Sequence, residues 1–69
     1  MKMFGNCSVE AGRVSLRVKG GKATYNMYGY AIREDREGME TIVLQPADCR
    51  CKPVMEIPVQ YVESLTIDL

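Results

Sequence analysis

From Arg13 to Lys19 the chain alternates: Val14, Leu16 and Val18 are separated by Arg13, Ser15, Arg17 and Lys19. Successive strand side chains point to opposite faces, so this period of two predicts a half-buried β-strand. Gly20-Gly21 follows, two residues that tolerate the positive φ a type I′ hairpin turn requires. With those two glycines as the whole turn, Lys19 faces Lys22, Val18 faces Ala23, Leu16 faces Tyr25 and Val14 faces Met27. The apolar face is then continuous across both strands. On the opposite face Arg13 meets Tyr28, Ser15 meets Asn26 and Arg17 meets Thr24.

The second strand runs on to Ile32, and Gly29 in its middle predicts a bulge or a sharp bend. Arg33-Glu34-Asp35-Arg36-Glu37-Gly38 has no apolar residue to bury and reads as a charged loop. A third strand spans Met39–Gln45, with Ile42, Val43 and Leu44 apolar on both faces. Such a strand is central in its sheet or is covered on its outer face by another chain. Pro46 and Pro53 bracket an irregular connection containing Cys49 and Cys51, because proline stops ladder pairing. Val54–Ile57 gives a short fourth strand, and Val59–Val62 fits one 3₁₀ turn. Leu65, Ile67 and Leu69 then alternate with Ser64, Thr66 and Asp68 in a last strand, while residues 1–8 read as a frayed end or a short edge strand.

These elements predict an all-β fold of one domain, residues 1–69: a small five-stranded, strongly bent sheet or barrel with a short 3₁₀ turn before the last strand. The segment Ile57-Pro58-Val59-Gln60-Tyr61-Val62-Glu63-Ser64-Leu65 resembles the closing segment of Src-homology-three domains, which runs Ile-Pro-x-x-Tyr-Val-x-x-Leu. The resemblance implies a similar barrel, and in that family the proline and tyrosine help line a peptide groove. Those roles fall here on Pro58 and Tyr61. The family's aromatic-acidic opening motif and tryptophan pair are absent, so the topology is implied more strongly than the groove. Sm-like barrels share the five-stranded outline, and the sequence leaves the two open.

Composition narrows the chemistry. At 69 residues and 46% hydrophobic, the chain has the aliphatic supply to fold, yet a core this small leaves a net of only about 3–5 kcal/mol. Small domains often add a disulfide, a metal or a partner subunit, and self-association is the expected supplement here. Nine basic residues balance nine acidic ones, which counts against a dedicated nucleic-acid or membrane-surface binder and removes a common protection against association. No apolar run approaches the roughly 20 residues of a membrane span, and Met1–Asn6 leads into no signal-like block. The chain therefore reads as cytoplasmic, without a membrane partner.

Candidate sites follow from these elements. The chain has no histidine, the usual general base near neutral pH, and no nucleophile or phosphate-loop motif. No enzymatic activity and no cofactor are expected. Tyr28, Tyr30 and Ile32 fall on the polar side if alternation passes Gly29, and an exposed row of this kind suits a protein interface. With Pro58 and Tyr61 they form the candidate interface, for a second copy or another protein. A bulge at Gly29 would instead turn the row inward. Arg13, Arg17, Lys19 and Lys22 make a basic stripe beside Tyr28, the pairing of cations with an aromatic that single-stranded nucleic acid uses. This is the alternative function. A third reading places a thiol or metal role at Cys49-x-Cys51, with Cys7 as a further ligand. Structural zinc normally takes longer spacers and four ligands.

Overall fold

The structure is a computed structural model, and it describes residues 7–48 and 53–69. Five antiparallel strands form one curled, unclosed sheet: β1 Gly12–Val18, β2 Thr24–Arg36, β3 Met39–Pro46, β4 Met55–Pro58 and β5 Val62–Asp68. Their spatial order is β4-β3-β2-β1-β5, and a 3₁₀ turn, Val59–Tyr61, joins β4 to β5. There is no α-helix among the described residues, so none is long and apolar enough to cross a membrane. The fold class is the expected one.

The β1–β2 ladder pairs Arg13 with Tyr28, Val14 with Met27, Ser15 with Asn26, Leu16 with Tyr25 and Arg17 with Thr24. This is the register set by the alternation. The turn is a different one. Gly20 has φ 78° but Gly21 does not have a positive φ, and the Gly21 N–H donates to the Val18 carbonyl at 2.9 Å. A four-residue turn therefore spans Val18–Gly21, and Lys22 and Ala23 complete a wider connection. The reason is β5: Val18 pairs with Val62 across a register shift, and the Lys19 N–H donates to the Tyr61 carbonyl at 2.9 Å. The end of β1 is drawn toward β5 and away from β2.

The type I′ turn sits at the other hairpin. Glu37 and Gly38 both have positive φ, 56° and 82°, and they alone join Arg36 to its partner Met39. The supposed charged loop is therefore strand up to Arg36. Its residues bury little, but they pair with β3 and are tied by side chains. Arg33 donates to Glu40 at 2.8 Å, and Arg36 donates to Glu34 and to Glu56, each at 2.7 Å.

One inner face carries the core: Val14 and Leu16 of β1, Ala31 of β2, Ile42 and Leu44 of β3, Val62 and Leu65 of β5. Val18, Met27, Met55, Ile57, Val59 and Ile67 pack around it. Leu69, expected inward, is 75% exposed at the end of the sheet. No register shift occurs at Gly29, where the β1 ladder ends and the β3 ladder begins. Gly29 instead marks the point where β2 leaves β1 and joins β3.

Val43 is only 3% exposed although it points away from this core. Its row runs Ile32–Val43–Glu56, and the next row on the same face runs Glu34–Thr41–Pro58. The Arg36–Glu56 ion pair joins β2 to β4 and so crosses β3 at Thr41, which is 7% exposed. Neighbouring side chains of the same chain cover the outer face of β3. The doubly apolar strand is an interior one, as expected, flanked by β4 and β2, and its own neighbours supply the cover.

Candidate interaction surface

Alternation along β2 places Met27, Gly29 and Ala31 inward, and so directs Tyr28, Tyr30 and Ile32 outward. Tyr28 is 64% exposed, Ile32 36%, and Tyr30 is half-buried. The three residues form one row at successive pleats of the strand. Beside it, Ser8, Val9 and Gln45 complete an open groove of about 510 Å³ around Tyr30 and Ile32. The wall at Ser8 and Val9 is held in two ways. The Ser8 N–H donates to the Ala31 carbonyl at 2.9 Å, and the Ser8 hydroxyl donates to the Glu10 carbonyl at 2.7 Å.

Pro58 joins this face, since it shares a row with Thr41 and Glu34 and follows Glu56 on β4. Tyr61 is 52% exposed at the end of the 3₁₀ turn, where its carbonyl meets Lys19. Val18, next to Lys19, is five residues along β1 from Arg13, the partner of Tyr28, which at 3.3 Å per residue is about 16 Å. Of the two residues taken from the resemblance, Pro58 therefore lies on the face of the alternation row and Tyr61 stands apart from it.

Arg13 and Arg17 of the expected basic stripe stand beside acidic neighbours. Arg13 stands between Tyr28 on β2 and Asp68 on β5. Arg17 faces the Glu63 carboxylate at 3.7 Å and donates to the Gly21 carbonyl at 3.4 Å. Its Nε is shielded from solvent and makes no hydrogen bond. Lys19 and Lys22 are exposed at the tip. The counter-charges Glu63 and Asp68 were not singled out from the sequence. Only the β1–β5 register reveals them, and nothing local to either strand encodes that register.

Cys7 is half-buried against the core. Burial pushes its thiol pKa up, Arg33 pulls it down, and Glu40 adds to the upward shift. Cys49 and Cys51 lie outside the described residues. Among the described residues, no group of three or more Cys, Asp or Glu side chains is placed to hold a metal. The hydrogen bond to Glu40 raises the Arg33 pKa, and those to Glu34 and Glu56 raise that of Arg36. Glu34 and Glu40 of this hairpin act as partners of guanidinium groups.

In comparisons with known proteins, no family model, no curated protein and no solved structure matches the chain. The class that stands on the fold alone is a small all-β domain with a curled five-stranded antiparallel sheet.

Proposed function

We propose that this protein is a non-enzymatic interaction module that binds a second copy of itself or another protein through the outer face of β2. The observation that carries the reading is the row Tyr28, Tyr30 and Ile32, which presents two aromatic rings and a branched aliphatic chain at successive pleats. Aromatic residues are enriched where interfaces are fully buried, and a row on a rigid strand loses little conformational entropy on binding. The strand order and the 3₁₀ turn before β5 support a Src-homology-three-like barrel over a flat sheet.

The test is the solution mass across concentration. Self-association at micromolar to millimolar protein is expected, and the double substitution Tyr28→Ser with Ile32→Ser returns the chain to monomer with an unchanged far-ultraviolet spectrum. A monomer throughout the range removes self-association. Association that survives the double substitution removes this surface.

Single-stranded nucleic acid is the second reading, favoured by Arg13 lying directly opposite Tyr28. Asp68 and Glu63 beside Arg13 and Arg17 weigh against it, because phosphate affinity depends on local cation excess. Absence of oligonucleotide binding at low ionic strength would dispose of it.

A further inference from the structure

Net charge zero conceals a division along β2. Around its first half stand Arg13, Arg17, Lys19 and Lys22 against Glu63 and Asp68, four cations to two carboxylates. Around its second half, on the same outer face, stand Glu34 and Glu56, with Glu37 at the exposed tip, against Arg36, three carboxylates to one cation. The apolar row lies at the boundary between the two halves. We infer that the partner is a second copy of this chain, docked about a twofold axis that crosses β2 near Tyr30, so that the basic half of each copy faces the acidic half of the other.

This inference rests on the surface proposed above and adds the occupant and its orientation. Three arguments carry it. First, a twofold interface is isologous, so a face must complement itself. An axis lying across β2 reverses the direction of one strand over the other and sets positive on negative. An axis along β2 would set like charge on like charge. Second, a stable interface buries about 800 Å² on each partner, and the domain measures 28 × 28 × 19 Å. The apolar row alone is too small for that, so the charged halves lie within the contact. Third, the tips are available for pairing: Lys19, Lys22 and Glu37 are exposed, and none of them forms an ion pair among the described residues. Complementary charge of this kind fixes orientation and encounter rate more than it adds affinity.

Sedimentation velocity on three forms tests it: the native chain, Arg13→Glu with Lys22→Glu, and Glu37→Lys with Glu56→Lys. The native chain is expected to dimerise, and each variant alone to weaken at least tenfold. An equimolar mixture of the two variants should return to within about threefold of the native affinity by pairing one with the other. A salt series on the native chain gives a second readout that needs no substitution. Between 50 and 500 mM NaCl the Debye length falls from about 14 to about 4 Å, and the dimer should weaken at least tenfold. Two variants that dimerise as the native chain does, or a dimer indifferent to salt, would overturn the charge-paired orientation while leaving self-association standing. A native chain that stays monomeric would overturn both.

Discussion

Gly12 and Gly29 face each other where β2 changes partner, and Gly29 is also paired, on its other side, with Pro46 of β3. Gly29 thus belongs to both ladders at once. A Cβ there would overlap the Gln45 carbonyl oxygen and approach Met27 Cε at 2.5 Å. At Gly12 the nearest atom would be Leu69 Cδ2 at 2.7 Å, the end of a flexible and mostly exposed side chain.

The two glycines should therefore respond differently. Gly29→Ala forces a backbone shift where the two ladders meet and is expected to cost about 3 kcal/mol or more, near the whole stability of a domain this size. Gly12→Ala displaces the Leu69 side chain and needs only a few tenths of an ångström from the Asp68 carbonyl oxygen and Ile67 Cγ2, at 3.1 and 3.2 Å, so it is expected to cost less, about 1–2 kcal/mol. Urea denaturation of the two variants checks the contrast, and equal midpoints would refute it.

Glu37 occupies a turn position where positive φ suits glycine and asparagine. It also stands in a hairpin already rich in carboxylates. Glu37→Asn is expected to stabilise the fold by about 0.5–1 kcal/mol. At about 4–8 °C per kcal/mol for a domain of this size, that is a rise of a few degrees in Tm. A lower Tm would contradict the turn assignment.

Leu16 is fully buried at the centre of β1, between Tyr25 and Leu65. Truncating such a side chain to alanine costs about 2–5 kcal/mol, against a net stability of about 3–5 kcal/mol. Leu16→Ala is expected to be largely unfolded at 37 °C by circular dichroism. If self-association stabilises the fold, raising the protein concentration should restore part of the signal.

The raised thiol pKa of Cys7 has a signed consequence for stability. Because the folded state holds this proton more tightly than the unfolded chain, the contribution is fully present below the unfolded thiol pKa. It is lost as pH rises through that value toward the folded one. Denaturation midpoints should fall on the alkaline side more steeply for the native chain than for Cys7→Ala. Parallel curves for the two would show that burial does not perturb this thiol. Peptide mapping after brief alkylation near pH 8 should also find Cys7 slower than a thiol in the denatured chain.

The bridge from Arg36 to Glu34 and Glu56 spans three strands over Thr41. Arg36→Gln is expected to lower stability at low salt, with the difference shrinking as salt is added, since exposed ion pairs are screened. A difference that does not change with salt would assign the loss to packing over β3.

Period-two alternation is a local signal, and it was enough to place Val14 and Leu16 opposite Met27 and Tyr25, whereas the outward course of Tyr28, Tyr30 and Ile32 also required that no bulge interrupt it at Gly29. The 3₁₀ turn before β5 was equally readable, from Pro58 and the break in alternation after it. What the sequence left open depends on contacts between distant residues. The choice of turn after Val18 was decided by Val62 and Tyr61, more than forty positions away. The Arg33–Arg36 stretch became strand because Glu40 and Glu56 supply partners that no apolar pattern announces. Glu63 and Asp68 temper the basic stripe only once β5 is aligned on β1. Alternation fixes which face a side chain takes, because the pleat is set residue by residue. Which strands become neighbours, and so which charges meet across that face, is settled only when the whole sheet assembles over its core.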